Sequence, residues 1–414
     1  MKRTTTVIIG AGQSGLAFSK HLTAHSVDHV LLERGEVANS WVNQRWDSLR
    51  LLTPNWQTRM PGMAYSGNDP DGYMSAADVA GFIKNYAAHT SAPVHGSTEV
   101  RSVLPLADGY KVETTQGDWF CTSVVVASGA CNIANVPSFA NALPQDVQSL
   151  DLLTYKTPDQ ISDGSVLVVG ASASGAQLAK EIQASGRQVT LSVGEHVRLP
   201  RVYRGRDICW WMDTTGLMDT HYTEVDDLKR TRKVASLQLM GSESRANIDL
   251  NSLAADGVRV VGRLQALDGQ KGVLSGGLRN HCALADLKMK RLLQSIDQWI
   301  DAAGIADQFE PPKAFADTYL DENTPLSIDL IHENIKTVVW ATGYRPDYSW
   351  LQLPVFDRKG AIRHEGGRAT DVDGLYVMGL PFMRRRKSSY IDGVGDDAAD
   401  LTADLVSKLS RRAA

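Results

Sequence analysis

Two stretches of the chain repeat one pattern of apolar and polar positions. Val7-Ile8-Ile9 is a β-branched apolar run that breaks at Gly10 and resumes with helical spacing through Leu16, Phe18 and Leu22. Val166-Leu167-Val168-Val169 breaks at Gly170 in the same way, and a helical pattern follows from Ala176. Short continuous apolar runs of this kind predict strands covered on both faces, as in a parallel sheet. A second strand follows each helix, in "HVLLER" and in "RQVTLSV". Two later stretches mirror one another: "SVVVASGACNIANVP", Ser123 to Pro137, and "KTVVWATGYRPD", Lys336 to Asp347, each run a strand into a turn of small residues. Near the end, "DGLYVMGLP" predicts one more strand, and an amphipathic helix is expected behind the acidic pair Asp396-Asp397.

The breaks carry chemistry. Gly10-Ala11-Gly12-Gln13-Ser14-Gly15 has glycines where a dinucleotide-binding turn needs them: one for the tight turn, one for close approach of a pyrophosphate, one for helix–strand packing. The helix behind it offers free N–H groups and the positive end of its dipole to an anion. Glu33 closes the second strand roughly 20 residues after Gly10, where a carboxylate accepts from ribose hydroxyls. The second turn, Gly170-Ala171-Ser172-Ala173-Ser174-Gly175, keeps the outer glycines and replaces the middle one by serine, which adds only a hydroxymethyl group. Its second strand ends at Ser192-Val193 without a carboxylate, and Arg198, Arg201, Arg204 and Arg206 follow. Loss of the acid and a nearby arginine suit a 2′-phosphate, hence NADP rather than NAD. Glu195 keeps the NAD alternative open, and a solvated basic loop is the other reading of the arginines. The expected fold is α/β, with two Rossmann-like dinucleotide-binding domains, one for FAD and one for NADP, the second inserted into the first. The expected boundaries are 1–155 and 336–414 for the FAD domain and 156–335 for the NAD(P)H domain, with a Pro- and Gln-containing connector between Pro137 and Ser165.

Bulk properties narrow the class without changing this picture. A chain of 414 residues with 43% hydrophobic and 22% charged residues is an ordinary soluble globular composition. A net charge of −4 argues against a general polyanion binder, so no nucleic-acid partner is expected. The four cysteines form no C-x-x-C pair, which speaks against a redox dithiol and a zinc site and fits a reducing cytosol. The N-terminal apolar run breaks too early for a signal peptide, and no stretch is long enough to span a bilayer. The expected location is the cytoplasm, with no membrane partner.

The segments "GAGQSGLAFS", "LLERGEVANSWVNQRWDSLRLLTPNWQTRMPG", "VVVASGA", "VVGASASG", "RLPRVYRGRDICWW", "ATGYRPDYSWL" and "GLYVMGLP" together resemble the flavin-containing monooxygenase superfamily. The likeness is to the short bacterial CzcO-like branch and the plant indole-pyruvate monooxygenases. It runs nearly end to end; only about Met240 to Leu320 lacks sharp motifs. It implies two-electron reduction of FAD by NADPH, reaction with O2 to a C4a-peroxyflavin, and oxygen transfer to a small organic substrate. It implies flavin contacts at Gly10, Ala11, Gly12, Gln13, Ser14, Gly15, Glu33, Arg34, Trp41, Val100, Ser128, Gly129 and Asp396. It also implies nicotinamide-cofactor contacts at Gly170, Ser172, Ala173, Ser174, Gly175, Arg198, Arg201, Arg204, Ala341, Thr342 and Gly343.

Departures from the family pattern are as informative. "WDSLRLLTPN" lines up with a family stretch whose asparagine helps hold the oxygenated flavin; here that position is Leu52 and the family's lysine is Asn55. Leu52, Thr53 and Asn55 are therefore the candidate catalytic positions. The family's linker histidine is also absent, with Leu150 or Asp151 near its place. These losses keep a second reading in play, an NAD(P)H-dependent flavin reductase, dehydrogenase or oxidase that inserts no oxygen. A non-catalytic nucleotide sensor is a third.

Other features divide between site and scaffold. Trp41 and Trp46 flank a turn placed by the resemblance near the flavin, where stacking and core packing compete. Arg384-Arg385-Arg386-Lys387 reads as a solvated or dimer-facing run, or as a clamp for an anionic substrate. "ICWWMDTTGLMD" suits a pocket lining and a core equally. No metal pattern is present, the substrate is not readable, and the oligomeric state is open, a homodimer being common among such flavoproteins.

Overall fold

The computed structural model describes residues 2–413, and its centre is two sheets, the first mainly and the second wholly parallel, built from the two repeated patterns. The first sheet is assembled around β1 (Thr6–Ile9), β2 (His29–Leu32), β3 (Val94–His95), β4 (Ser123–Val126) and a late strand, Leu375–Val377. β1 lies between β4 and β2, with Val124 opposite Val7 and Val7 opposite Val30. The late strand pairs in parallel with the other side of β4, Val124 opposite Leu375. Helix α1 (Gln13–Ala24) follows β1, and α2 (Ala76–His89) precedes β3 behind a capping box between Ser75 and Asp78.

Alternation within the strands decides what each face covers. Ile8, Leu31 and Val125 face α1 and the C-terminal helix, beside Leu16, Phe18 and Leu401. Val7, Ile9, Val124 and Val126 point the other way, onto a cluster with Val103, Val112 and Leu353. Val103 and Val112 come from the antiparallel ribbon of Val100–Leu106 and Gly109–Thr114. Both faces are covered, and β1 is wholly buried, as a continuous apolar run requires.

The second sheet has the order β6 (Gln148–Asp151), β10 (Ile335–Trp340), β7 (Ser165–Val169), β8 (Val189–Val193), β9 (Arg259–Gly262), all parallel. Helix α3 (Ala173–Ala184) follows β7 as α1 follows β1. A separate aromatic and methionine cluster lies under α4 (Ile208–Thr214) and the long α5 (Leu278–Ala303), with Trp211, Met212, Met218 and Met289 buried.

The chain crosses between the sheets twice, and the crossing segments pair with each other. β5 (Ile133–Ala134) and β11 (Tyr344–Arg345) form a short antiparallel ribbon, Ile133 opposite Arg345. The expected boundaries at 155 and 335 therefore shift. Gln148–Asp151 and Ile335–Trp340 both belong to the second sheet, because each hydrogen-bonds into it. After the return come β12 (Leu375–Val377), the late strand of the first sheet, and α6 (Val394–Ala413), which packs on α1.

Candidate active site

The first turn opens on a cavity of about 430 Å3. Gly10 has φ +108°, and a Cβ there would overlap the carbonyl oxygen of Ala127, so the turn lies against the end of β4. A Cβ on Gly15 would overlap the Gly10 carbonyl, so that glycine is required by packing within the turn. Gly12 is different: its backbone is extended, and no protein atom lies within 4 Å of where its Cβ would be. It faces the cavity. Gly12 caps α1 without a side-chain hydrogen bond, which leaves the first-turn N–H groups for an anion.

Glu33 is only 8% exposed, and both its oxygens are anchored. Oε2 accepts the Ala11 N–H at 2.9 Å and Oε1 accepts the Gly35 N–H at 3.1 Å. Each oxygen keeps acceptor capacity toward the cavity it lines. The hydroxyl of Ser128 lines the same cavity, is buried, and has no partner among the described residues. Gly10, Gly12, Gln13, Ser14, Arg34, Trp41, Val100 and Gly129 complete the sequence-expected lining; Ala11 and Gly15 shape the turn from behind. The guanidinium of Arg45 stands over the Trp41 ring at 5.2 Å and over Tyr344 at 6.0 Å. Sequence reasoning missed Thr98, Cys131, Asn132, Asp347, Trp350, Gly379 and Ser389, which also line the cavity. Asn132 ties its rim, donating to the Ser128 carbonyl and accepting the Asp347 N–H. Burial pushes the Cys131 thiol up in pKa while Arg45 pulls it down.

The second turn is a close copy. Gly170 has φ +106°, and its Cβ would overlap the Ala341 carbonyl oxygen, as Gly10 meets Ala127. A Cβ on Gly175 would overlap the Gly170 carbonyl. Ser172 caps α3 with φ −77° and ψ −170°, beside −86° and −175° for Gly12. That is ordinary extended backbone, so the middle position needs no glycine for conformation, and a serine stands there without strain. Ala173 and Ser174 open α3, and Ala341, Thr342 and Gly343 form the facing edge, with Thr342 Oγ1 donating to the Asn135 carbonyl.

Several expectations are corrected. Arg198, Arg201 and Arg204 are buried, each against aspartate. Arg198 pairs with Asp249 at 2.7 Å and Asp286 at 2.6 Å, and Arg204 with Asp297 at 3.0 Å. Arg201 pairs with Asp207, whose other oxygen accepts from Tyr73 Oη at 2.7 Å. Guanidiniums already paired inside the protein are not available to a 2′-phosphate. The basic run is a clasp on α6 rather than a solvated face or a free clamp. Arg384 and Arg385 hold Asp400, Arg385 holds the fully buried Asp397, and Lys387 holds Asp219 and Asp396. Asp396 therefore serves the clasp and does not line the cavity.

Leu52, Thr53 and Asn55 are not brought together. The Leu52 side chain packs on the aromatic cluster of the second lobe, and its carbonyl accepts from Arg201. Thr53 faces a small pocket with Gln57, Met218 and Tyr390. Asn55 Nδ2 donates to the Asp69 carbonyl at a larger cleft, and its Oδ1 is buried without a partner. None of the three lines the cavity at the first turn. Trp41 and Trp46 also separate: Trp41 lines the cavity, while Trp46 is core of the second lobe. Most of "ICWWMDTTGLMD" is core. Among the described residues no cluster of three metal-ligating side chains occurs, and no helix is long and apolar enough to cross a membrane.

Comparison with known proteins matches this geometry. The uncharacterized CzcO-like oxidoreductase of Geobacillus kaustophilus is 33% identical over 403 residues, which is 97% of either chain. The chain belongs to the CzcO-like branch of the flavin-containing monooxygenase superfamily. A pyridine nucleotide-disulphide oxidoreductase family model matches residues 7–204, from β1 through the second turn. The indole-3-pyruvate monooxygenase YUCCA1 of Oryza sativa subsp. japonica is 30% identical over 410 residues, 96% of this chain and 90% of its own. A flavin-containing monooxygenase from Stenotrophomonas maltophilia shares the fold at TM-score 0.68 and 19% identity, covering 99% of this chain and 100% of its own. The CzcO-like chain is thus a flavin-dependent oxidoreductase with the two-Rossmann architecture.

Proposed function

We propose that this chain is an NADPH-dependent FAD monooxygenase acting on a small organic substrate, with FAD at the first turn and the nicotinamide cofactor at the second. The observation that carries the reading is the paired turn. In both, the first glycine is fixed by contact with a neighbouring strand end and the last by the carbonyl of the first, and in the first turn the middle glycine looks onto open space. The residues fit the groups assigned to them. Gly12 and the uncapped N-terminus of α1 suit a pyrophosphate, Glu33 suits ribose hydroxyls, and the unpartnered Ser128 hydroxyl suits a polar atom of the cofactor. Gly170, Gly175 and the uncapped α3 suit a second pyrophosphate.

Bound flavin supplies two-electron transfer and the activation of dioxygen; the chain supplies binding, orientation and exclusion of water. The steroid monooxygenase bound to NADP, which shares the fold at TM-score 0.55 and 16% identity, is consistent with a second dinucleotide in such an architecture. A reductase or oxidase without oxygen insertion is the second reading. It is favoured by Leu52, an apolar side chain turned into the second lobe.

Purified protein should carry FAD, and NADPH should bleach it anaerobically. On admission of O2 with substrates bearing nitrogen, sulfur or a carbonyl, one oxygen from labelled O2 should enter product while peroxide falls. Colourless protein that takes up no FAD overturns the whole reading. Stoichiometric peroxide with every substrate class decides for the oxidase.

A further inference from the structure

With Arg198, Arg201 and Arg204 engaged by aspartates, the second turn needs another cation if it is to prefer NADPH. The sheet supplies one. β8 ends at Val193, directly opposite Gly262, the last residue of β9, the next strand outward. Arg263 follows. Its carbonyl is tied by the Ser275 N–H at 2.8 Å, and its side chain runs back across the end of β8. Its Cβ, Cγ and Cδ lie 3.9, 3.6 and 3.3 Å from the point a Cβ on Gly194 would occupy. The stem closes on Gly194 from Cβ to Cδ, so the Arg263 side chain lies over the end of β8 rather than outward from β9. In doubly wound sheets the ribose of a dinucleotide meets the chain just beyond the carboxyl end of this second strand.

We propose that Arg263 binds the 2′-phosphate of NADPH; the inference rests on the nicotinamide reading of the second turn. Arg263 is exposed and belongs to no ion pair among the described residues. Gly194 is what lets it lie there, since a side chain at that position would crowd the arginine stem. The Gly194 loop is held from beneath, where His196 Nδ1–H donates to the Gly194 carbonyl at 3.0 Å. Burial lowers the His196 pKa and keeps the ring neutral. Glu195 is also exposed and in no ion pair, and it is the group that would favour a bare ribose hydroxyl.

Calorimetric titration of the FAD-loaded protein with 2′,5′-ADP and with 5′-AMP separates the possibilities without turnover. Wild type should bind 2′,5′-ADP more tightly. Arg263→Gln should weaken it about ten- to a hundredfold, the range of one charged contact, and leave 5′-AMP within about twofold. Arg263→Lys should retain part of the preference. Equal loss for both ligands, or no preference in the wild type, overturns the assignment. Binding of neither ligand by the wild type overturns the nicotinamide reading itself, while the flavin spectrum reports the first site independently.

Discussion

The guanidinium of Arg201 donates to the carbonyl oxygen of Leu52 across 2.7 Å, joining the second lobe to the loop that resembles the family's catalytic segment. Arg201 is 0% exposed; it also pairs with Asp207 and lies over the Tyr73 ring at 4.9 Å. One side chain thereby fixes a loop of the first lobe, an aspartate of the second, and a tyrosine between them. Replacement by methionine, Arg201→Met, leaves Asp207 buried without its cation and should cost about 3–5 kcal/mol. Denaturant midpoints of the two proteins measure this; a loss below about 1 kcal/mol would mean that the pair does not hold the lobes.

The glycines of the first turn should respond differently to the same small change. Gly15→Ala puts a methyl group into the Gly10 carbonyl and should destabilise the fold by about 1–3 kcal/mol. Gly12→Ala meets no protein atom, so its thermal midpoint should stay near that of the wild type while FAD content falls. Thermal melts and flavin absorbance of both variants check this. Full FAD occupancy in Gly12→Ala would show that the cofactor does not approach that backbone.

His364 gives the chain a dependence on pH. Its Nδ1 accepts the Gly367 N–H at 3.1 Å, a bond only the neutral ring can make. Burial first, and then the charge of Arg232, lower its pKa from 6.5 to about 4. Below pH 6.5 the unfolded chain takes up a proton that the folded one refuses, so stability falls as pH drops toward 4 and this contribution then levels off. Removing the ring with His364→Gln should flatten the slope in that window by on the order of 1–3 kcal/mol. Urea titrations at several pH values test it; equal slopes would place the acid sensitivity elsewhere.

What the sequence disclosed was local. The glycines of the two turns, the buried strands and Glu33 each lie within a single strand-turn-helix-strand unit, where spacing alone dictates geometry. Ser128 was legible because it lies in the turn just after a recognisable strand. Gly379, Ser389, Asp347 and Trp350 reach the cavity from far along the chain, and no short-range pattern announces them. The arginines misled for the same reason. Asp249, Asp286 and Asp297, which neutralise Arg198 and Arg204, come from later segments with no visible link to "HVRLPRVYRGRD". Arg263 was hidden because its relation to Gly194 exists only once β9 pairs with β8.

The pairing of Ser123–Val126 with Leu375–Val377 also sets an order of assembly on the ribosome. All five strands of the inserted lobe exist once Trp340 has been made, and domains fold as units when their sequence is complete. The first lobe is short of a strand until Val377 emerges, and its cavity lacks Gly379 and Ser389 until later still. The polypeptide is therefore expected to mature from its middle outward, with capture of the prosthetic group at the end of synthesis.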